Sequence, residues 1–187
     1  MKRILLTIAL AIMLLCFAPS THALQYSGSL TSAGGGIVGT LLAYFLAKAG
    51  RDVLRPRGAY AAMGRAYAMA GLSPQDVNVA ELHDCFTVMG AIGTEVIGKA
   101  EYGKGARYWV DGKAAPSGEC GINTSGGLIA KGHPVGATGV AMIGWSAWQL
   151  QGKAPAELQV PNPKLAATFN IGGPICASVC TVLTPGA

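Results

Sequence analysis

The stretch "VAELHDCFTVMG" (residues 79–90) decides how the rest of this chain is interpreted. Two apolar residues lead into the polar and nucleophilic run "ELHDC", after which an apolar pattern resumes. Only 12% of the residues in the whole chain are charged, so this concentration of polar groups needs a reason. "VAEL" is typical of a buried strand, and the residues after it predict a helix over 86–98 with Asp84 as its N-cap. We therefore expect a polar strand end at the start of a helix.

Two members of this run, His83 and Cys85, are candidates for chemistry. If residues 79–83 are extended, both side chains point to the same side, because side chains alternate along a strand. A thiol at a helix N-terminus and beside an imidazole has a lowered pKa, which suits a proton-shuttling role. A satisfied polar strand end with an inert buried cysteine accounts for the same residues. The run by itself leaves both interpretations open.

A second dense stretch, "SGGLIAKGHPVGATG" (residues 125–139), carries another of the three histidines, His133. Its glycines let the backbone approach a ligand closely, and Pro134 fixes the turn after the histidine. The pattern then predicts a helix over 138–150. A lone loop histidine is more often structural or solvated than catalytic, but the rigid frame on both sides of His133 strengthens the functional interpretation.

The remaining pattern predicts an α/β fold. "AYAAMGRAYAMAG" (residues 59–71) indicates a helix with Tyr60, Met63 and Tyr67 on one face and Gly71 at its end. Residues 101–121 are rich in loop-forming residues, and two strands, "LAATFNI" and "ICASVCTVL", are expected near the C-terminus. Alternating strands and helices predict a mixed sheet covered by helices.

Three motifs carry a specific resemblance. "ELHDCF", "SGGLIAKGHPVGATG" and "FNIGG" occur in the order and approximate spacing of the C-terminal half of thiolases, and the chain most resembles the sterol-carrier-protein type. The resemblance covers roughly residues 59–187. It implies a single thiolase-like half-domain, which in complete thiolases packs with an N-terminal half of similar topology into a layered αβαβα body.

The resemblance also implies roles for three residues. His83 would help to build an oxyanion site, and His133 would activate a nucleophilic cysteine and contribute to an oxyanion site. Common thiolases carry an acid/base cysteine where this chain has Asn170. In the sterol-carrier-protein type the cysteine of the HDCF motif takes that function, which here is Cys85.

The implied reaction is acyl transfer on a coenzyme A thioester, which is a substrate, with no bound cofactor. The nucleophile of the family is a cysteine in the N-terminal half, whereas residues 1–58 of this chain contain only Cys16. We therefore expect the partner to be a thiolase N-terminal half, or a second copy in a homodimer, and we expect no turnover of acyl-CoA by the isolated chain. The alternative is a non-catalytic domain that binds acyl-CoA or lipid, or that acts as a scaffold.

Residues 1–23 have the layout of a secretory signal. Lys2 and Arg3 precede an apolar stretch from Ile4 to Ala18, and a small-residue cleavage position follows Ala23. This segment indicates export or membrane anchoring, whereas thiolase chemistry indicates the cytoplasm. The sequence leaves the location open.

Residues 24–58 are interpreted as a linker that contains a truncated glycine motif. Gly34, Gly36 and Gly39 match G-x-G-x-x-G and resemble the opening of flavin-dependent oxidoreductases. No apolar strand precedes the glycines, and no acidic residue follows about twenty positions later, as dinucleotide binding requires. The motif is therefore interpreted as a remnant or as a structural helix.

Charge and cysteine spacing exclude other classes of function. The net charge of +5 comes from scattered Lys and Arg without a basic stripe, so a nucleic-acid partner is not expected. The five cysteines contain no CxxC pair and no zinc spacing, so no metal site is expected. Cys176 and Cys180 lie in an apolar run and are predicted to be small core residues.

Overall fold

The structure is a computed structural model that describes residues 56–172 and 177–185. Contacts group Gly58–Ala187 into one unit of the chain. The predicted signal (1–23), the glycine motif (34–39), Cys16 and Cys176 lie outside the described residues. The domain boundaries at 23 and 58 therefore stay predictions.

The elements alternate between helices and strands in chain order. They are α1 (Arg57–Ala70), a short 3₁₀ helix (Pro74–Asp76), β1 (Val79–Leu82), α2 (Thr87–Val96), α3 (Gly105–Val110), β2 (Gly121–Ile122), α4 (Gly127–Lys131), α5 (Thr138–Leu150), β3 (Ala166–Gly172) and β4 (Ala177–Leu183).

The strands form one mixed sheet with the order β2-β1-β3-β4. β1 pairs in parallel with both β2 and β3, and β3 pairs antiparallel with β4. This confirms the predicted α/β fold with a mixed sheet covered by helices. Because parallel strands need a crossover, the chain leaves the end of β1 into α2 and returns to the sheet only later, which makes that end a natural place for a site.

One face of the sheet carries the main core. Alternation along β1 and β3 directs Leu82 and Phe169 to the side covered by α1 and α2, where Met63 and Tyr67 of α1 pack. Helix α2 lies close to the sheet at Gly93, where a Cβ would come within 3.2 Å of Leu82 Cδ1. Phe169 is fully buried there. This face supplies most of the apolar burial that holds the unit together.

The other face is covered by α5 and is more polar. Val79 and Ala166 form a small apolar cluster with Val160, and Leu150 of α5 packs against it. By the same alternation, Glu81 of β1 and Asn170 of β3 belong to this face. His83, two positions after Glu81, therefore also belongs to the side of the sheet that α5 covers.

Several boundaries differ from the prediction. The region expected to be loop-rich contains α3, and the glycine loop contains the short helix α4. The helix expected over 86–98 spans Thr87–Val96, while β1 and α5 have the predicted limits. Within residues 56–172 and 177–185, no helix combines the length and apolar character needed to cross a membrane.

Candidate active site

His83 is the first residue after β1 and continues the hydrogen-bonded pairing of that strand with β3. Its backbone N–H donates to the carbonyl of Phe169 at 2.9 Å, and its side chain is almost fully buried. Its ring Nδ1 lies 2.6 Å from Oδ1 of Asn170. Since a carbonyl oxygen only accepts, Nδ1 is the protonated nitrogen. Burial lowers the pKa of His83, and the neighbouring His133 lowers it further, against the opposing effect of the Asn170 hydrogen bond.

His133 lies in the exposed segment between α4 and α5. Its Nδ1 is 2.8 Å from Oγ1 of Thr138, the first residue of α5. The Thr138 hydroxyl donates its proton to the carbonyl of Pro134 at 3.3 Å, so it accepts from Nδ1–H of His133. In the neutral ring of His133, Nε2 is therefore the nitrogen without a proton.

The two imidazoles meet edge to face. The ring centroids of His83 and His133 are 4.8 Å apart, and their planes are at 89°. The structure thus brings together the histidines of the two motifs that the sequence singled out. Their catalytic role stays a prediction.

The segment that carries His133 is tied to the end of β1 by side chains. Asn123, in a left-handed conformation (φ 51°), pairs with both backbone groups of Leu82. Its Oδ1 accepts from Leu82 N at 2.6 Å, and its Nδ2 donates to Leu82 O at 3.1 Å. Two residues later, Ser125 Oγ donates to Glu81 Oε2 at 2.6 Å. The glycine segment is therefore held in one register relative to the strand that precedes His83.

Asp84 has a different partner from the one predicted. It was expected to cap the helix after the HDCF motif, but that helix has Phe86 as its N-cap and no side-chain cap. The buried Asp84 Oδ1 instead accepts from the backbone N–H of Leu128 in α4 at 2.7 Å. A Cβ at Gly127 (φ 62°) would collide with the Asp84 carboxylate, so only glycine fits there. The prediction was wrong because the chain turns at residues 85–86, which carries Asp84 towards α4.

Glu81 is a fully buried carboxyl group on the α5 face. Burial raises its pKa from an ordinary 4.5 to about 7, although hydrogen bonds from Ser125 and the charge of Lys131 oppose this. Nζ of Lys131 is 3.9 Å from Oε2 of Glu81. The sequence placed Glu81 in the polar run without assigning it a function. The available signal was a carboxylate in the middle of a strand that is otherwise apolar.

Cys85 differs from its prediction in one respect. Its pKa was expected to be lowered, but burial raises it, and the nearby Asp84 adds to this effect against the hydrogen bond from Phe86 N–H. β1 ends at Leu82 and the backbone bends at Cys85, so strand alternation does not extend to this residue. The half-buried thiol packs against the main core. In the described part of the chain no hydrogen bond or ring contact joins it to either histidine, and its place in a shared site stays a prediction.

The other described thiols are in apolar surroundings. Burial raises the pKa of Cys120 to about 12 and that of Cys180 to about 11. Both are protonated at neutral pH and are poor nucleophiles there. Among residues 56–172 and 177–185, no group of three or more His, Cys, Asp or Glu side chains is placed to hold a metal ion.

Two site residues were missed by the sequence argument. Asn170 entered it only as the position where a catalytic cysteine is missing, and Thr138 entered only as the start of a helix. Their hydrogen bonds to His83 and His133 join residues on different elements or across a turn. A single sequence gives no signal for the first of these contacts. The Gly-His-Pro turn before α5 could have indicated the second.

Curated relatives share this part of the molecule. The chain is 42% identical over 123 residues to an acetyl-CoA acetyltransferase of Methanothermobacter thermautotrophicus, a match that covers 66% of this chain and 32% of that protein. It is 44% identical over 108 residues to sterol carrier protein 2 of Oryctolagus cuniculus, covering 58% of this chain and 20% of that protein. The chain thus spans a third or less of the relatives that it matches.

The fold and the family agree with these matches. A solved structure titled Ltp2-ChsH2(DUF35) aldolase superposes with a TM-score of 0.60 over 67% of this chain and 31% of that chain. At 22% identity this likeness shows the fold alone. The family described as thiolase C-terminal domain-like matches residues 45–185. The chain belongs to the thiolase C-terminal domain-like family.

Proposed function

We propose that this domain supplies the histidine-bearing half of a thiolase-type acyl-CoA acyltransferase. The observation that carries the proposal is the edge-to-face pair of His83 and His133 at the end of β1, with ring centroids 4.8 Å apart. Each ring is hydrogen-bonded at Nδ1, which leaves Nε2 as the nitrogen available to a substrate. The match to an acetyl-CoA acetyltransferase and to the thiolase C-terminal domain-like family supports acyl-CoA chemistry as the context for this pair.

In the proposed reaction His133 is the base. Its free Nε2 takes the proton from an attacking thiol, which makes the thiol a thiolate nucleophile. His83 is proposed to stabilise the negative charge that develops on the thioester oxygen, which its Nδ1–H tautomer allows only when Nε2 is protonated as well. Cys85 is proposed as the acid/base that returns a proton to the leaving or condensing group, as the resemblance implies. Its raised pKa fits a thiol that holds its proton until that step.

The nucleophile is proposed to come from a thiolase N-terminal half. Cys85, Cys120 and Cys180 all have raised pKa values, so none of them is a ready nucleophile. The outer side of α5 also presents apolar side chains to solvent, with Val140 72% exposed and Trp148 52% exposed. A face of this kind on a domain that covers a third of a relative's length favours an apolar partner surface.

The second candidate is a non-catalytic domain that binds acyl-CoA or lipid. The raised pKa values of all three described thiols favour it for the chain on its own. Positioning and electrostatic groups bind a thioester even without a nucleophile, because catalysis by such groups survives loss of the attacking residue. The two candidates differ in whether any partner half restores turnover.

The test is thiolysis of acetoacetyl-CoA with free CoA, measured for the purified chain alone and for the chain co-expressed with a thiolase N-terminal half. We expect no turnover alone and turnover with the partner. His133→Ala should lower the restored rate about 10²–10⁴-fold. Met69→Ala, on an exposed position of α1, is the control and should leave the rate unchanged.

Four outcomes would contradict parts of the proposal. Thiolysis by the chain alone, with an acyl group trapped on Cys85 in mass spectrometry, would show that no partner half is needed. Binding of acetoacetyl-CoA without turnover in any combination would establish the binding candidate instead. Neither binding nor turnover would reject both candidates, and formation of a homodimer in place of a complex would reject the partner half.

A further inference from the structure

Asn170 lies beside the buried histidine as a consequence of strand pairing. β3 runs parallel to β1 with Leu82 opposite Phe169, so the next residue of β3, Asn170, stands next to His83 on the α5 face. The backbone hydrogen bond from His83 N to Phe169 O extends this pairing beyond the strand. Asn170 Oδ1 is 2.6 Å from Nδ1 of His83. The contact is thus built on the sheet and does not depend on a loop.

The amide of Asn170 is confined from its other side by α5. A Cβ at Gly139 would stand 2.8 Å from Nδ2 of Asn170, closer than side chains approach without displacement. The glycine backbone therefore makes room for the amide group. With the imidazole on one side and the helix backbone on the other, the amide has little freedom to rotate.

The second histidine, His133, is also held at Nδ1, in this case by Thr138, the residue before Gly139 in α5. Thr138 Oγ1 accepts from Nδ1–H of His133. Consecutive residues of the first turn of α5 therefore adjoin the groups that hold the rings: Thr138 bonds His133 directly, and Gly139 leaves room for the Asn170 amide. In each case the contact is made at Nδ1.

We propose that Asn170 is a positioning residue that holds His83 in its Nδ1–H tautomer, so that Nε2 carries a lone pair towards the substrate. The part that this tautomer plays in catalysis rests on the function proposed above, whereas the tautomer itself is independent of that function. A neutral ring in this tautomer accepts a proton at Nε2 and has no N–H to offer an oxyanion. His83 then stabilises an oxyanion only as the imidazolium, or acts as a second base. This differs from the oxyanion role that the resemblance implies.

The test is the tautomer of each ring, read from the imidazole ¹⁵N chemical shifts of histidine-labelled protein. His83→Gln and His133→Gln assign the signals. In the unmodified chain we expect a protonated Nδ1 and an unprotonated Nε2 for His83. Asn170→Ala should abolish that preference for His83 and leave His133 unchanged. Thr138→Val is the matched control and should change His133 only.

A conservative variant keeps the test decisive. Asn170→Asp retains an acceptor oxygen, so His83 should keep its Nδ1–H tautomer while its pKa rises beside the added carboxylate. If Asn170→Ala does not fold, as judged by circular dichroism, the pKa of His83 in Asn170→Asp takes its place, and a His83 pKa that does not rise in this variant would overturn the proposal. A protonated Nε2 on His83 in the unmodified chain, or an unchanged His83 tautomer in Asn170→Ala, would overturn the proposal.

These results separate the inference from the proposed function. The predicted tautomers together with absent thiolysis would leave the positioning role intact and reject the acyltransferase proposal. Thiolysis by a protein whose His83 carries its proton on Nε2 would support the acyltransferase proposal and reject the positioning role of Asn170. In an active complex, Asn170→Ala should shift the acid limb of the pH profile of kcat if His83 acts as a base and the basic limb if it acts as the imidazolium, whereas a merely structural change would lower kcat at all pH values alike.

Discussion

The two faces of the sheet use the same short strand for different purposes. On the α1/α2 side, Leu82 packs with Phe169 in an apolar core. On the α5 side, Glu81 and the adjacent His83 make hydrogen bonds to polar side chains from the glycine segment and β3. Neighbouring residues of β1 therefore have different surroundings. Leu82 packs among apolar side chains and Glu81 makes polar contacts, because side chains alternate along a strand.

Stability and chemistry are separated between the two faces of this small unit. The apolar face has few polar groups to satisfy, such as the Tyr67 hydroxyl that donates to the carbonyl of Ile97, and it gains free energy from the apolar area removed from water. The polar face buries Glu81 and Asn123, which need their hydrogen bonds to offset the cost of desolvation. A change on the first face should therefore act on folding, and a change on the second should act on pH dependence and on histidine geometry.

The largest effect is expected on the apolar face. Phe169→Ala leaves a cavity against Leu82 and should lower the free energy of unfolding by about 3–5 kcal/mol. Urea denaturation followed by circular dichroism measures it. Val179→Ala, at an exposed position of the neighbouring strand β4, is the control and should cost less than about 0.5 kcal/mol. Equal losses in the two variants would show that the face with Phe169 is not the main source of stability.

A smaller effect is expected from the buried carboxyl group. The pKa of Glu81 is raised in the folded state from 4.5 to about 7, so its protonated form is favoured by folding. Its contribution is complete below pH 4.5 and is lost as the pH rises through 7, by on the order of 3 kcal/mol in total. Urea denaturation of the unmodified chain and of Glu81→Gln across this pH range measures the difference.

The pKa shift of His83 makes stability depend on pH in the opposite direction from the shift of Glu81. Because the pKa of His83 is lowered, its contribution is present above pH 6.5 and is lost as the pH falls through its folded value. Subtracting the free energy of unfolding of Glu81→Gln from that of the unmodified chain removes the contribution of His83, since both proteins retain that residue. A difference that is flat between pH 4.5 and 7 would mean that Glu81 is ionised throughout that range.

The smallest effect compares two glycines of one helix. Gly139→Ala should displace the Asn170 amide and destabilise the chain by about 1–2 kcal/mol. Gly144→Ala meets no atom within 4 Å and should stabilise the helix by up to about 1 kcal/mol. Thermal unfolding should therefore move in opposite directions in the two variants. A gain in stability in both would show that Asn170 has room to move and that α5 does not confine it.

The sequence predicted the elements that follow simple periodicity. β1 and α5 have the predicted limits, and the mixed sheet was expected from the alternation of strands and helices. The two histidines were singled out by their motifs. These features are local, because a strand pattern or a glycine-framed histidine is contained within a few consecutive residues.

The contacts that build the site could not be predicted in the same way. Asp84 was assigned to the helix that follows it, but its partner is Leu128, which approaches only after the chain has crossed β2. The raised pKa of Cys85 depends on a bend in the backbone that no periodicity indicates. Asn170 contacts His83 through the pairing of β1 with β3. Each of these contacts joins residues on separate elements, and tertiary packing decides them.

The two histidines are anchored to different elements, and this has a mechanical consequence. His83 and its partner Asn170 belong to paired strands of the sheet, whereas His133 is held by Thr138 at the start of α5. A displacement of the start of α5 relative to the sheet therefore changes the separation of the two rings. A partner domain that binds the outer side of α5 would act on the distance between His133 and His83 without a contact to either histidine.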